Sequence, residues 1–179
     1  MARALVIVDF QNDFTPGGAL AVTGGDEIAA RINELARDGH FDLVIATRDW
    51  HPPDHASFTE HGGIWPVHCV AETPGAHLHP ALDDDRVDLV VDKGQARELP
   101  GYSGFEGTYL EDILREHGIG ELTIVGLATD YCVRATALEA LDRGFKVTVD
   151  PTAVRGVEVE PGDAERALGQ LREAGATVG

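Results

Sequence analysis

The sequence predicts an α/β fold, a three-layer α/β/α sandwich around a mainly parallel, doubly wound sheet. Short apolar runs bounded by turn residues recur along the chain, which is typical of buried strands. Amphipathic helical patterns stand between or after these runs. Strands that alternate with helices form a parallel sheet covered on both faces, because right-handed crossovers return the chain to the same edge.

The predicted strands are the apolar runs at residues 5–8, 43–46, 89–91, 122–125 and 147–149. The predicted helices cover residues 26–38, 108–117, 130–142 and 162–174. In the first helix, Ile28, Ile32 and Leu35 share one face. The second begins with the Thr108 to Glu111 spacing of a capping box. Glycines lie just beyond the last three helices, as is common at helix ends.

Length and charge limit the function further. At 179 residues the chain is expected to form a single domain, residues 1–179, with its own hydrophobic core. The formal net charge of −17 argues against nucleic acid, because phosphate binding requires a basic surface. No apolar run approaches the roughly 18 residues of a membrane span, and the N-terminal run is too short for a signal peptide. We therefore expect a cytoplasmic protein with no membrane partner.

One segment departs from the alternating pattern. Residues at about 50–85 are rich in proline, glycine and histidine and show little periodicity. An irregular segment of this length inside a compact domain is usually functional or disordered, and its histidines and aromatic residues favour function. The sequence therefore predicts a metal-binding loop insert here.

Polar side chains follow four of the predicted strands: Asp9, Asp49, Lys93 and Cys132. Because ligands bind beyond the carboxyl ends of parallel strands, we expect these side chains to converge on one edge. An aspartate such as Asp9 can take the proton of a cysteine nucleophile, and a lysine can stabilise the negative charges involved. Cys132 lies at a predicted helix start, where unpaired N–H groups and the helix dipole favour the thiolate.

A carboxylate and three imidazoles occur within twenty residues, at Asp49, His51, His55 and His68. Asp49 and His51 are two residues apart, so in an extended segment they point the same way. The Pro52-Pro53 turn can direct His55 back to the same point. This donor set suits one divalent metal ion such as zinc, iron or manganese.

Aromatic side chains lie near each of these groups in the chain, namely Phe14, Trp65, Tyr102 and Phe105. Aromatic residues usually pack in a core. Here their proximity to the polar residues predicts walls on which a flat aromatic substrate stacks.

The chain resembles the nicotinamidase branch of the isochorismatase-like cysteine hydrolases, and most closely the bacterial members that also hydrolyse pyrazinamide. The resemblance spans most of the chain. It rests on the motifs DFQNDF at 9–14, GGALAV at 17–22, TRDWH at 47–51, WPVHCV at 65–70, KG at 93–94, YSGFEG at 102–107 and GLATDYCV at 126–133.

The resemblance implies hydrolysis of nicotinamide to nicotinate and ammonia through a cysteine thioester, with Asp9, Lys93 and Cys132 as the catalytic triad. It also implies a cis peptide bond between Leu127 and Ala128, and an oxyanion hole formed by the backbone N–H groups of Ala128 and Cys132. Two features depart from the family pattern: Tyr131 stands where histidine is common, and the segment 95–100 carries charges and a proline.

The resemblance further implies the binding residues. The metal ligands would be Asp49, His51 and His68, with His55 as a further ligand. Phe14 and Trp65 would flank a pyridine ring, and Tyr102 would line the mouth of the pocket.

Other functions stay open at this stage. A cysteine amidase of the same superfamily with a different small amide substrate is the nearest alternative, although carbamoyl or ureido amidases would not need the metal cluster. Vinyl-ether hydrolases of the isochorismate type need no cysteine. A non-catalytic binding domain, or a metallohydrolase that uses metal-bound hydroxide, would leave Cys132 without a chemical role.

Overall fold

The computed structural model describes residues 1–179 and contains one six-stranded sheet in which every pairing is parallel. The spatial order of the strands is β3-β2-β1-β4-β5-β6. They comprise β1 (Ala2–Val8), β2 (Leu43–Asp49), β3 (Leu89–Lys93), β4 (Ile119–Leu127), β5 (Lys146–Arg155) and β6 (Thr177–Val178). The predicted fold is confirmed, and the two-residue β6 is the only strand that the sequence pattern did not indicate.

Four α-helices complete the three layers: α1 (Ala29–Arg37), α2 (Leu110–Glu116), α3 (Arg134–Asp142) and α4 (Asp163–Ala174). Successive side chains of β1 point to opposite faces of the sheet. Leu5 and Ile7 join a buried cluster with residues of α1, such as Ile32. Val6 and Val8 join a second cluster with residues of α2, α3 and α4. The sheet is therefore buried on both faces, as its apolar strands require.

Two predicted helices begin later than their patterns indicated. The stretch before α1 is a 3-10 turn over Gly25–Ile28, and the stretch before α3 is a wide π-type turn over Thr129–Val133. In that wide turn the N–H groups of Tyr131 and Val133 both donate to the carbonyl of Ala128, each at 3.1 Å. Cys132 consequently lies in an irregular turn beside the sheet and not in the first turn of an α-helix.

The crossover from β2 to β3 contains no α-helix. Residues 50–88 form an irregular loop with three short 3-10 turns. Isolated bridges fasten the loop internally and to the chain after β1, pairing His51 with Val70 and Gln11 with Leu78. Buried loop residues such as Leu82 extend the same apolar cluster that α1 covers.

None of the helices is both long enough and apolar enough to cross a bilayer.

Gly126 allows β4 to pass close to β1 one residue before Asp9. Its φ is +112°, and a Cβ atom there would lie 2.1 Å from the carbonyl oxygen of Val8. We expect Gly126→Ala to lower the free energy of unfolding by about 3 kcal/mol or more, because left-handed strain adds to a clash with backbone. Denaturant unfolding measures this change.

The matched control is Gly169→Ala in α4, where an added Cβ would meet no atom within 4 Å. That variant should be unchanged or more stable by up to about 1 kcal/mol, because alanine favours a helix. Wild-type stability of Gly126→Ala would contradict the close approach of β1 and β4.

Candidate active site

The four polar residues predicted to converge do meet at the carboxyl edge of the sheet. Asp9 follows β1, Asp49 and Lys93 are the last residues of β2 and β3, and Cys132 follows β4 in the wide turn. The neighbours of β1 in the sheet are β2 and β4, so the chain leaves β1 in one direction and returns on the other side. A crevice opens at such a switch point, and the side chains gather there.

Lys93 is the centre of this group and is 1% exposed. Its Nζ lies 2.6 Å from Oδ1 of Asp49, 2.8 Å from Oδ2 of Asp9 and 3.6 Å from Sγ of Cys132. It also donates to the carbonyl oxygen of Gly101. One ammonium group therefore contacts both carboxylates and the sulfur, and its N–H donors are satisfied without water.

Asp9 is held by two contacts and keeps one oxygen free of a well-aligned hydrogen bond. Its Oδ1 accepts from the hydroxyl of Thr47 at 2.8 Å. Its Oδ2 forms the ion pair with Lys93, but the angle does not satisfy a hydrogen bond. A carboxylate oxygen of Asp9 also lies within 4.8 Å of Sγ of Cys132. The aspartate is thus placed to exchange a proton with the cysteine.

Burial controls the protonation of these groups. Burial raises the pKa of Asp9 to about 6, although the positive charge of Lys93 opposes the shift. Burial alone would lower the pKa of Lys93. The carboxylates of Asp49 and Asp9 outweigh this effect and raise the pKa well above its ordinary value. Near neutral pH, Asp9 is therefore mostly ionised and Lys93 is charged.

The thiolate predicted for Cys132 is wrong for the resting site. Burial raises the pKa of the Cys132 thiol well above its ordinary value, and Lys93 offsets only part of this shift. Cys132 does lie where a helical segment begins, because the wide turn runs directly into α3, but burial of the sulfur outweighs the effect of the helix start. Cys132 rests as a thiol, so it requires a neighbouring base to become a nucleophile.

The turn that carries Cys132 begins with a cis peptide bond between Leu127 and Ala128, as the sequence resemblance implied. Ala128 is 8% exposed, and its N–H has no hydrogen-bond acceptor in the structure. Buried N–H groups are seldom left unpaired outside functional sites. This donor is available to a ligand that approaches Cys132.

A second cluster adjoins the first. Ligand atoms of Asp49, His51 and His68 all lie within 4.8 Å of one another, and all three residues are buried. Oδ2 of Asp49 lies 3.3 Å from Nε2 of His51 and 3.9 Å from Nε2 of His68. Two imidazole nitrogens and a carboxylate oxygen facing one point form a donor set that fits a borderline divalent cation.

The backbone orients both imidazoles for this purpose. Nδ1 of His51 lies 2.8 Å from the carbonyl oxygen of Gly94, and Nδ1 of His68 lies 2.7 Å from that of Pro66. Each carbonyl accepts a hydrogen bond from the Nδ1–H group, which leaves the lone pair of Nε2 directed at the shared point. Such outer hydrogen bonds are the usual support of metal-binding histidines.

His55 does not join this cluster, contrary to its predicted role as a ligand. Its Nε2 lies 2.8 Å from the carbonyl oxygen of Leu99, and its Nδ1 lies 2.7 Å from the hydroxyl of Ser57. Its ring stacks on that of His51 with centroids 3.9 Å apart. The Pro52-Pro53 turn brings His55 back beside His51, but both ring nitrogens are already engaged elsewhere.

One aromatic pocket is lined both by Cys132 and by the three-residue cluster. Trp65 donates from Nε1 to the hydroxyl of Tyr102 at 2.9 Å, and Tyr131 meets the edge of Trp65 at a centroid distance of 5.0 Å. The predicted wall residues Phe14, Trp65 and Tyr102 are thus brought together. The lining comprises Phe14, Leu20, Asp49, His51, Ser57, Trp65, His68, Pro100, Tyr102, Ala128, Tyr131, Cys132 and Val157.

Phe105 was predicted as a wall of the pocket, but it packs in the core against Phe145 and does not line the pocket.

Other residues line the pocket although no role in binding was predicted for them. Tyr131 could have been found from its position beside Cys132. Leu20 and Val157 come from loops with no periodic pattern, so periodicity does not mark them as pocket residues.

Comparison with known proteins places this geometry in a family. The profile of the isochorismatase domain matches residues 3–179. The nicotinamidase/pyrazinamidase of Mycobacterium tuberculosis is 46% identical over 96% of this chain and 95% of its own length.

Two solved structures have the same fold at high coverage. The pyrazinamidase of Pyrococcus horikoshii in complex with zinc has a TM-score of 0.92 and 47% identity, covering 100% of this chain and 99% of its own. PnC1 from L. infantum in complex with nicotinate has a TM-score of 0.94 and 34% identity, covering 99% of this chain and 91% of its own.

The arrangement of the histidines predicts a difference between two variants. His51→Ala should weaken Zn²⁺ binding by about 100-fold or more, because one of three donors is lost. His55→Ala should weaken it by about 10-fold at most, because only support for the His51 ring is lost. Competition with a chelator on the metal-free proteins measures both affinities. An equal loss in the two variants would contradict the three-residue donor set.

Proposed function

Because the chain belongs to the isochorismatase family, we propose that it is a metal-dependent amidase that hydrolyses nicotinamide to nicotinate and ammonia, and that it also accepts pyrazinamide. The observation that carries this proposal is one aromatic pocket that is lined both by Cys132, beside Asp9 and Lys93, and by the carboxylate–imidazole cluster. The similarity to nicotinamidases and pyrazinamidases supports the substrate class.

The pocket fits a flat ring that carries a carboxamide. The side chains of Phe14 and Trp65 provide apolar and aromatic walls for the ring. In the proposed complex the carboxamide lies over Cys132, and the ring nitrogen faces His51 and His68, which line the same pocket. Holding the two ends of the substrate in this way aligns the carbonyl carbon with the sulfur and contributes to the rate through orientation.

Acylation begins when Asp9 takes the proton of the Cys132 thiol and the sulfur attacks the carbonyl carbon. Negative charge develops on the carbonyl oxygen, and the backbone N–H groups of Ala128 and Cys132 stabilise it. Asp9 then gives its proton to the amide nitrogen as the carbon–nitrogen bond breaks. Ammonia leaves, and the acyl group remains on Cys132 as a thioester.

Deacylation repeats these steps with water as the nucleophile. Asp9 takes a proton from water, whose oxygen attacks the thioester carbon, and the carbon–sulfur bond breaks. The proton returns to the sulfur, which restores the resting thiol, and the product acid loses its remaining proton to solvent and leaves as nicotinate. Lys93 stays charged throughout and stabilises the carboxylate form of Asp9 before each proton is taken and after each proton is given back.

Asp49, His51 and His68 would hold the divalent cation, which supplies a Lewis-acidic contact for the ring nitrogen of the substrate, directly or through water. Zinc, iron or manganese suits this donor set. His55 supports His51 by stacking and is not assigned as a ligand.

A panel of amides distinguishes this function from its nearest alternative, another cysteine amidase of the same family with a different small amide. Ammonia release from nicotinamide and pyrazinamide should exceed release from aliphatic amides and from carbamoyl compounds. Faster release from a carbamoyl compound would favour the alternative.

The two cysteines provide a matched pair of variants for the chemistry. Cys132→Ala should lower turnover of nicotinamide by at least about a thousand-fold and leave zinc content unchanged, because the nucleophile is lost but no ligand is. Cys69→Ala, at the other buried cysteine, should keep most of the activity. Ammonia release and metal analysis measure both. Activity in Cys132→Ala that disappears on metal removal would instead indicate metal-bound hydroxide as the nucleophile.

A further inference from the structure

Asp49 lies where its strand loses a neighbour. On the β1 side of β2, the carbonyl of Thr47 accepts from the N–H of Asp9 at 3.0 Å. Asp49 is two residues further along, so its N–H and C=O point to the same side. However, β1 ends at Val8, and the chain turns away at Asp9, whose φ is +48°. The backbone groups of Asp49 therefore lack a strand partner there.

The side chain of Gln11 takes the place of that partner. Its Oε1 accepts from the N–H of Asp49 at 2.8 Å, and its Nε2 donates to the carbonyl of Asp49 at 2.8 Å. Nε2 also donates to the carbonyl of Ala76 at 2.8 Å. The amide can be oriented in only one way, because an N–H needs an acceptor and a C=O needs a donor. Gln11 is 0% exposed, so water does not compete for these bonds.

We infer that Gln11 is a positioning residue, which fixes Asp49 for both halves of the site without contacting the substrate. This inference rests on the metal-dependent function proposed above. The Asp49 carboxylate divides its two oxygens, with Oδ1 on Lys93 and Oδ2 facing the imidazoles of His51 and His68. A shift of the Asp49 backbone would therefore disturb the cation donors and the partner of Lys93 together.

The inference requires that Gln11 act through Asp49 and not merely tie loops together. The neighbouring Asn12 separates these roles. Its Nδ2 donates to the carbonyl of Pro74 at 2.8 Å, so it ties the same segment to the same loop as Gln11 does. It makes no side-chain bond to Asp49.

The test compares Gln11→Met with Asn12→Leu in the full-length protein, with Zn²⁺ as the probe. Gln11→Met keeps the side-chain length, removes the amide, and should weaken Zn²⁺ binding by about 10- to 100-fold, as loss of an outer hydrogen bond does. Asn12→Leu should bind Zn²⁺ as the wild type does, whatever its loss of thermal stability. Raised Zn²⁺ should restore the zinc content of Gln11→Met by mass action. Unchanged affinity in Gln11→Met, or an equal loss in both variants, would overturn the inference.

A second measurement needs no variant and covers the case in which Gln11→Met does not fold. Amide hydrogen exchange in the wild type should show the Asp49 N–H among the slowest, because it is bonded to a buried side chain. Exchange of that N–H at the rate of exposed amides would overturn the inference. Zinc affinity is independent of the substrate, so weakened binding in Gln11→Met, in a protein that releases no ammonia from nicotinamide, would support the role of Gln11 while refuting the proposed function.

Discussion

The buried ammonium group of Lys93 is the interaction on which the site depends. It contacts Asp9, Asp49 and the sulfur of Cys132, and water does not reach it. Two carboxylates could not both stay ionised at this depth without it, since burial of an unpaired charge is very costly. With Lys93 beside it, Asp9 is ionised near neutral pH, but its pKa of about 6 is higher than usual for an aspartate. A carboxylate with such a pKa can take a proton and give it back.

The same lysine links two clusters that would otherwise be separate. Asp49 receives Lys93 on one oxygen and faces His51 and His68 with the other. The position of a cation at the imidazoles and the position of the proton acceptor near the sulfur are thereby connected through one carboxylate. The other neighbour of β1 is equally close, because β4 passes β1 at Gly126, which lies opposite Val8, the residue before Asp9.

Sequence patterns predicted the features that depend on regular structure. The alternation of strands and helices indicated the layered fold, and strand ends located Asp9, Asp49, Lys93 and Cys132 at one edge. Features that depend on irregular backbone were predicted less well. The wide turn at Thr129–Val133 leaves Cys132 buried as a thiol, and His55 is drawn to Leu99 and Ser57 instead of the cluster. Local spacing cannot reveal such tertiary partners, nor the bond from Gln11 to a strand end thirty-eight residues away.

The central claim is that Lys93 and Asp9 enable Cys132 to accept the acyl group of the substrate. The most direct test is rapid acid quenching during turnover of nicotinamide, followed by peptide mass spectrometry. We predict a nicotinoyl group on the Cys132 peptide of the wild type and none within the same time in a folded Lys93→Met variant. Turnover with Cys132 unmodified, or equally rapid acylation without Lys93, would contradict the account.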